Sequence, residues 1–343
     1  MSAFVDWVTG RLPLSCGHEI NGGQVVSLSR HGEVEYRLDR GLDVEGSHSA
    51  NMRVRTKGDT LEFSGNPTKW LQGHNVFGTA DLTGLVVETG LELCRRLELP
   101  VGAVDLAQWL MGQVQLTRLD VTRQYRLPGN VPAWLSVLAG GVHGGHQRVT
   151  NRGAFEGNTV YVGQHSRRLS LKMYDKAAEL KRHALPATME PGTVGQLLEY
   201  VRDVLRCEVT VRSTELQSRG RRCVRDWSES AMSALVDERL SKLTMLDNLV
   251  LSHEQVCELP PRLIGVYEAW RAGHDLRDRY PRRTFYRYRS ELLAYGIDIM
   301  RVRPRIVEVA PVYPLGRPLR SFLEGPGLEP PSWASGTRLL ACS

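Results

Sequence analysis

The chain has 343 residues, of which 41% are hydrophobic, and it carries a formal net charge of +6. That length exceeds the usual size of one hydrophobic core, so we expect two domains, or one large domain with an appendage. No stretch approaches the roughly 18 to 20 apolar residues of a membrane span, and the N-terminus lacks the pattern of an export signal, so no membrane partner is expected. The six cysteines form no Cys-x-x-Cys pair, which argues against a structural zinc site and indicates reduced thiols in a cytoplasm.

The N-terminal part of the chain has the alternating pattern of antiparallel strands. Short alternating runs predict strands over residues 24–29, 33–38, 52–55 and 60–64. Gly32 and Gly58 mark the hairpin turns between them. Farther along, apolar residues at helical spacing predict an amphipathic helix over 82–97 that covers one face of the sheet.

The middle of the chain mixes strands and helices. The pattern predicts strands over 117–123, 159–163, 169–176 and 206–212, and helices over 131–138, 177–183 and 194–204. Because hairpins are frequent, we expect an α+β fold, with an antiparallel-rich sheet covered on one face by helices, and not a doubly wound parallel sheet.

The spacing of apolar residues predicts a mainly helical C-terminal third. Helices are predicted over 231–240, 253–258, 261–272 and 283–295, and the last two could form a helix-turn-helix pair around Gly273. From residue 301 onward prolines recur, which indicates an extended or disordered tail. The changes of pattern predict three parts: a mixed domain over 1–230, a helical domain over 231–300 and a proline-rich tail over 301–343. The residues described next make the first a candidate catalytic domain and the second a candidate DNA-binding domain.

Three of the predicted strands place polar side chains on one face, because side chains alternate along a strand. The polar positions are Tyr174 between Lys172 and Lys176, Asp120 beside Arg118, and Glu208 between Arg206 and Arg212. A tyrosine needs nearby cations or a metal to act as a nucleophile, and two carboxylates on neighbouring strands could hold Mg²⁺ or Mn²⁺ against a phosphate. The pattern also fits a solvated sheet on which the carboxylates pair with the arginines, so both interpretations stay open.

Two further residues could belong to such a site. Glu62 lies on the polar face of its strand and could be a third ligand, although a single strand glutamate is often only solvated. His74 could contact metal or phosphate, or it could satisfy backbone groups of its own loop. No Walker loop and no Gly-x-Gly-x-x-Gly occurs, so nucleotide-driven chemistry has no support.

The segment from Arg277 to Arg289 contains six arginines interleaved with aromatic residues. Arginines in this setting suit phosphate contacts and base readout, and the aromatic rings suit stacking. We expect DNA contacts from the arginines of the polar strands and of this segment: Arg118, Arg206, Arg212, Arg282, Arg283, Arg287 and Arg289. Tyr288 in the same segment is an alternative nucleophile.

The run Asn66-Pro67-Thr68-Lys69-Trp70-Leu71-Gln72-Gly73-His74-Asn75-Val76-Phe77-Gly78, supported by the blocks around Asp120, Tyr174 and Glu208, resembles the replication initiation proteins of filamentous phages, the gene II/X family. The resemblance, which extends from about Asp6 to Pro304, implies an enzyme that nicks one strand of double-stranded phage origin DNA, becomes joined to the 5′ phosphate through a tyrosine, and leaves a 3′ hydroxyl that primes rolling-circle synthesis.

The same resemblance assigns roles to individual residues. It makes Tyr174 the nucleophile with Lys176 as its companion, and it likens Asp120 and Glu208 to the metal ligands of plasmid rolling-circle initiators. It further implies single-stranded product DNA, a host helicase and a host polymerase as partners, in the cytoplasm of the host bacterium.

One departure from related nucleases bears on the metal. Many rolling-circle nucleases bind metal through a His-hydrophobe-His strand, and no histidine here has a partner two residues away. A competing hypothesis is a non-catalytic, sequence-specific DNA-binding regulator of phage replication that uses only the arginine-rich helices. That hypothesis leaves Asp120, Glu208 and Tyr174 without a role.

Overall fold

The computed structural model describes residues 3–15, 17–46, 50–127, 131–143, 149–152, 159–183, 185–245, 251, 253–272, 274–295, 297–300, 323 and 327–336. The strands within this part are β1 (Phe4–Pro13), β2 (Gln24–Leu28), β3 (Val34–Asp39), β4 (Leu42–Glu45), β5 (Asn51–Thr56), β6 (Thr60–Gly65), β7 (Gln115–Arg126), β8 (Val142–His143), β9 (Val149–Arg152), β10 (Thr159–Val162), β11 (Leu169–Asp175), β12 (Val204–Arg212) and β13 (Thr244–Met245).

The helices of the described part are α1 (Pro67–Gln72), α2 (Leu82–Arg96), α3 (Ala103–Leu110), α4 (Val131–Gly141), α5 (Lys176–Arg182), α6 (Pro191–Tyr200), α7 (Ser213–Ser218), α8 (Glu229–Ser241), α9 (His253–Cys257), α10 (Pro261–Arg271), α11 (Leu276–Arg279) and α12 (Arg282–Leu293). None of them is both long and apolar enough to cross a membrane.

A nine-stranded sheet organises the first 245 residues, with the strand order β4-β5-β6-β1-β7-β12-β11-β10-β9. Its neighbouring strands pair in antiparallel fashion. Alternation buries Leu119, Val121 and Val209 on one face, where helices α2, α4 and α8 join them in the main hydrophobic cluster. The predicted α+β class, with an antiparallel-rich sheet covered by helices on one face, is confirmed.

Strand β1 was not predicted, although it lies at the centre of the sheet between β6 and β7. Its pairing with β7 contains a bulge: Val5 faces Val121, and Trp7 faces Asp120, so Asp6 is the extra residue. A bulge interrupts the alternation of side chains and re-aims a residue. Here it leaves Asp6 next to Asp120.

Helix α1 follows β6 directly and begins the loop that reaches the polar face. The Asn66 side chain caps the helix by accepting a hydrogen bond from the Lys69 backbone N–H at 2.8 Å, and Pro67 stands in the first turn, where no backbone donor is needed. Gly73 ends the helix in a left-handed conformation, with φ of 85°.

The helical C-terminal unit has a core of its own. Residues 251–300 form a second hydrophobic cluster around Tyr267, Trp270 and Phe285, whereas α8 packs in the cluster of the sheet. Helix α8, which the prediction assigned to the helical domain, buries its apolar side against β7 and β12; the domain boundary at residue 230 stays a prediction. The predicted helix-turn-helix pair corresponds to α10 and α12, but the short helix α11 lies between them.

Part of the predicted tail is ordered. Residues 332–336 form a 3₁₀-helix, and Ala334 is fully buried in a third hydrophobic cluster with Val76, Phe77 and Leu180. The prediction of an extended or disordered tail is wrong for residues 327–336, because long-range packing stabilises this segment where local sequence does not. The remainder of 301–343, apart from Leu323, lies outside the described residues.

Candidate active site

The polar residues that the sequence assigned to one face of the sheet lie together on that face in the structure. In the register of the strands Tyr174 faces Arg206, Lys172 faces Glu208, and Thr210 faces Asp120. Residues directly opposite one another in antiparallel strands share a face. The structure therefore brings Tyr174, Asp120 and Glu208 to one side of the sheet.

Tyr174 is almost completely buried and directs its hydroxyl at Glu208. The hydroxyl donates to Glu208 Oε2 at 3.4 Å, and Lys172 Nζ lies 3.7 Å from the same oxygen and 4.1 Å from the centre of the tyrosine ring. Burial raises the pKa of the Tyr174 phenol well above its usual value, and the positive charge of Arg206 opposes this. Without bound DNA the side chain is thus a neutral phenol.

Glu208 is a carboxylate with an unusual proton affinity. Burial, followed by repulsion from Asp6, raises its pKa to about 7, although Lys172 opposes the shift and Asp120 adds to it. A carboxylate with a pKa near 7 is suited to accept a proton at neutral pH.

Asp120 is 1% exposed and forms a bidentate ion pair with Arg118, which donates to its two carboxylate oxygens at 2.8 Å and 2.5 Å. Burial raises the pKa of Asp120 even though Arg118 opposes the shift. The ion-pair interpretation that the sequence left open thus describes Asp120, whereas Glu208 has Tyr174 and Lys172 as its neighbours.

Asp6 is the acidic residue that sequence reasoning missed. Its Oδ1 accepts hydrogen bonds from Asn66 Nδ2 at 3.1 Å and Asn75 Nδ2 at 2.8 Å, and Arg206 Nη1 lies 3.6 Å away. The sequence offers one sign of its role, since Asp6 is a charged residue inside the apolar run from Phe4 to Val8. Its side chain reaches the site only because of the bulge in β1.

Arg206 was predicted to contact DNA, and the structure contradicts this. The side chain has no exposed surface, and it donates to the carbonyl oxygens of Asn75 at 2.5 Å and Val76 at 2.8 Å and to Gln124 Oε1 at 3.0 Å. These bonds tie the loop after α1 to the sheet, so Arg206 is a buried support of the site.

Lys176 also differs from its predicted place. It begins helix α5 instead of continuing the strand, is fully buried, and donates to Asn75 Oδ1 at 2.8 Å and Glu179 Oε2 at 2.5 Å. Burial, with repulsion from Arg206, lowers its pKa to about 8. Through Asn75 it is linked to Asp6 and not directly to Tyr174.

The two further candidate ligands have other contacts. Glu62 accepts hydrogen bonds from Arg11 at 2.8 Å and Arg55 at 2.6 Å; burial opposes the effect, but these bonds hold its pKa below the usual value. It faces Arg11, five residues along β1 from Asp6, so it does not join the carboxylates. His74 directs Nδ1 to the Gln72 side chain and the Val76 N–H in its own loop.

The predicted DNA-binding arginines fall into different environments. Arg212 donates to Ser170 Oγ at 3.2 Å, and Arg118 is held by Asp120. Arg289 grips the buried Asp298 with bonds of 2.6 Å and 2.7 Å, so it stabilises the helical unit and its predicted DNA contact is not supported. Arg282, Arg283 and Arg287 are exposed on α12.

Tyr288, the alternative nucleophile, also lies on α12. Its ring packs edge-on against Tyr280 at 5.2 Å within the second cluster. The hydroxyl of Tyr174, by contrast, donates to a carboxylate.

The chemistry of the acidic group fits a hard divalent cation. Three carboxylates lie here: Asp6, Asp120 and Glu208. The negative charges of Asp6 and Asp120 raise the pKa of Glu208, and a bound cation would relieve this repulsion. Across the described ranges, however, no three His, Cys, Asp or Glu side chains are already arranged to hold a metal ion. Arg118 occupies both oxygens of Asp120.

Comparisons with known proteins give the same family for both parts of the chain. Residues 4–230 match the family that describes the N-terminal part of the phage replication-associated protein, the gene II protein, and residues 253–319 match the family that describes its C-terminal part. The chain is 32% identical over 332 residues to the replication-associated protein of Enterobacteria phage I2-2, which covers 92% of this chain and 93% of that protein. It is 24% identical over 217 residues to the corresponding protein of Enterobacteria phage M13, over 54% of this chain and 52% of that protein.

A rolling-circle replication initiator protein from Geobacillus stearothermophilus is a structural neighbour, with a TM-score of 0.35 and 12% identity over 78% of this chain and 96% of its own.

The family matches define a phage replication protein, as the sequence predicted. The chain belongs to the gene II family of phage replication-associated proteins. Membership in this family implies strand nicking by transesterification, and it gives the non-catalytic alternative no support.

Proposed function

We propose that the protein nicks one strand of double-stranded phage origin DNA with Tyr174 as the nucleophile. The observation that carries this proposal is the contact of the Tyr174 hydroxyl with Glu208, on the face that also presents Asp6 and Asp120. A nucleophile within reach of a base is the geometry that covalent catalysis needs.

In the proposed reaction the Tyr174 oxygen attacks the scissile phosphorus while the phenolic proton passes to Glu208. The bond from phosphorus to the 3′ oxygen breaks, and that oxygen takes a proton from water and leaves as a hydroxyl. The 5′ phosphate remains on Tyr174, so the energy of the phosphodiester is conserved and no nucleotide is consumed. Lys172 lies beside the phenol ring and contributes positive charge near the reacting phosphate.

We also propose that Glu208 and Asp120, with Asp6, hold Mg²⁺ or Mn²⁺ once Arg118 has released Asp120. Glu208 has two carboxylate oxygens, so one of them could bind the cation while Oε2 accepts the phenolic proton. The cation would make Glu208 a weaker base than it is in the metal-free site, and its positive charge would favour the phenolate of Tyr174. Such a cation supplies Lewis-acid stabilisation of phosphate oxygens. Titration calorimetry with Mn²⁺ tests this without reference to activity: Asp120→Asn and Glu208→Gln should each lose the binding heat, and Glu62→Gln should keep it. Equal binding by all four proteins would contradict the ligand assignment.

The remaining roles follow from the proposed product. A free 3′ hydroxyl is the substrate of a polymerase, so a host helicase and a host polymerase are the proposed partners, in the host bacterial cytoplasm. Double-stranded origin DNA and the displaced single strand are the proposed nucleic-acid ligands.

The test of the nucleophile uses supercoiled origin DNA with Mg²⁺. Wild-type protein should give open circles and a protein–DNA adduct that survives denaturant, and Tyr174→Phe should give neither while it still binds DNA. Tyr161→Phe is a matched control, because Tyr161 shares the polar face opposite Lys172. Loss of the adduct in Tyr288→Phe, with an active Tyr174→Phe, would reject the assignment.

A further inference from the structure

A groove of about 340 Å³ lies on the same sheet face as the carboxylates, over β1, β5 and β6. Its walls include Arg40, Arg53 and Arg55, which we call the arginine groove, and its floor includes the hydroxyls of Thr9 and Ser64, 2.8 Å apart. We propose that the arginine groove binds the single-stranded DNA segment that ends in the 3′ hydroxyl at the nick. This inference rests on the proposed function, because it assumes that Tyr174 attacks the strand.

The groove is continuous with the site. Thr9 faces Arg118 in the pairing of β1 with β7, and Trp7, one position nearer the bulge on that face, faces Asp120. Trp7 is partly exposed, and the Arg118 guanidinium lies 5.1 Å from its ring centre. A strand of DNA could therefore pass from the carboxylates over Trp7, which offers an aromatic surface to a base, into the groove.

The other side of the site is covered. The third hydrophobic cluster, with Val76, Phe77 and Leu197, lies against the loop that Arg206 and Gln124 hold. Among the described residues the polar face is thus packed beside Arg206 and open beside Thr9. This asymmetry favours a DNA path toward β5.

The chemistry of the groove suits a phosphodiester backbone. Arg53 is paired with Asp43 and Arg55 with Glu62, but a guanidinium has five N–H donors and these pairs leave some of them available. The Arg53–Asp43 pair is exposed, and exposed ion pairs contribute little to stability, so a phosphate can share or replace it. Arg40 is exposed at the rim and adds a third positive charge, so the arginines of the lining outnumber its two carboxylates, Asp39 and Glu62.

Gly41 also lines the arginine groove. A side chain at Gly41 would place its Cβ 2.4 Å from Arg53 Cγ, so only glycine lets Arg53 lie against this backbone. The groove wall therefore requires the glycine for close packing.

The direction of the strand follows from the reaction geometry. In a phosphoryl transfer the leaving oxygen lies opposite the attacking oxygen. Tyr174 on β11 and the groove on β5 and β6 lie on opposite sides of the carboxylates in the strand order. The segment that carries the leaving 3′ oxygen therefore runs toward the groove, about 14 Å across the strands from β7 to β5.

The experiment measures fluorescence anisotropy of two labelled oligonucleotides, copied from the cut strand on either side of the nick that the protein makes. The variant Arg40→Ala/Arg53→Ala should bind the upstream oligonucleotide, which ends at the nick with a 3′ hydroxyl, at least about tenfold more weakly. The slope of log binding constant against log salt concentration should become less steep by about 1.4, because two phosphate contacts on a single strand are lost. Binding of the downstream oligonucleotide should not change.

The control variant Arg95→Ala/Lys242→Ala removes the same charge from exposed, ion-paired positions on α2 and after α8. It should bind both oligonucleotides like the wild type. If the two variants bind the upstream oligonucleotide equally, or if the groove variant loses the downstream one instead, the inference is wrong. Neither oligonucleotide contains a scissile bond, so a failed adduct assay for Tyr174 would be a separate result.

Discussion

Tyr174 is held as a neutral phenol by the same burial that places it on Glu208. Burial raises its pKa, and Arg206, itself buried beside it in the strand register, is the cation that opposes this. Removal of a phenolic proton in such a place needs a nearby base and added positive charge. The proposed nucleophile is therefore a neutral phenol in the structure without DNA.

Glu208 gives a prediction about stability. Its folded pKa of about 7 lies above the model-compound value of 4.5, so its stabilising contribution is fully present below pH 4.5 and is lost as the pH rises through 7. One pKa unit corresponds to about 1.4 kcal/mol, so Glu208→Gln should raise the free energy of unfolding by roughly 3 kcal/mol at pH 8, and by little at pH 4.5. Urea unfolding in EDTA at both pH values measures this, and the variant should not nick DNA.

Glu62→Gln is the matched control of opposite sign. Despite burial, hydrogen bonds from Arg55 and Arg11 lower the folded pKa of Glu62, so its contribution is present above its unfolded pKa and is lost as the pH falls. The substitution should therefore reduce stability at pH 8. A gain of stability in Glu62→Gln, or a loss in Glu208→Gln, would show that the charges of the site are assigned wrongly.

At the level of single residues, local pattern predicted some site members and missed others. Period-two alternation was enough to put Tyr174, Asp120 and Glu208 on one face. It could not foresee Asp6, because a bulge in β1 depends on how that strand pairs with β7. It also misjudged Arg206, since only packing of the loop after α1 makes a strand arginine a buried support.

At the level of elements, the segment 327–336 connects the C-terminal part of the chain to the site. The Leu328 N–H donates to the Gln124 carbonyl at 2.9 Å, the Tyr200 hydroxyl donates to the Glu329 carbonyl at 2.8 Å, and Trp333 packs edge-on against Phe77 at 5.7 Å. Phe77 belongs to the loop that supplies Asn75. The segment lies outside both family matches.

Ending the chain after residue 326 should therefore lower the nicking rate at least about tenfold. The loop that presents Asn75 to Asp6 and Lys176 would lose its packing, while the second cluster would keep its own core. Gel assays of nicking and of duplex binding would separate the two effects, because duplex binding should change less than about twofold. Trp333→Phe keeps an aromatic edge against Phe77 and should nick normally; full activity of the shortened chain would disprove the coupling.

At the level of the whole molecule, the sheet and the helical unit have separate hydrophobic clusters and separate proposed tasks. The sheet carries the proposed reacting groups, and α12 presents Arg282, Arg283 and Arg287 to solvent. Exposed arginines on one helix suit contacts with duplex DNA. Recognition of the duplex and cleavage of a strand can then be altered independently.

Replacing Arg282, Arg283 and Arg287 by alanine should weaken duplex binding. The slope of log binding constant against log salt concentration should become less steep by about 0.9 for each lost phosphate contact. Adduct formation on a single-stranded oligonucleotide should continue, since Tyr174 is untouched. Salt titrations of binding to origin duplex, beside the adduct assay, make this comparison. Arg289→Ala should instead lower thermal stability, because it removes the guanidinium that pairs with the buried carboxylate of Asp298. Unchanged duplex binding by the triple variant would refute the role of α12.

The amino-acid sequence by itself determined the α+β class, most strands of the sheet, the helical C-terminal unit and the face shared by Tyr174, Asp120 and Glu208, because alternation and helical spacing are local properties. Tertiary structure alone decided that Asp6 joins the carboxylates, that Arg206 and Lys176 are buried supports, that Arg289 is held by Asp298, and that residues 327–336 return to the site loop. Each of these depends on strand register or on packing between residues far apart in the chain, and no local pattern encodes such contacts.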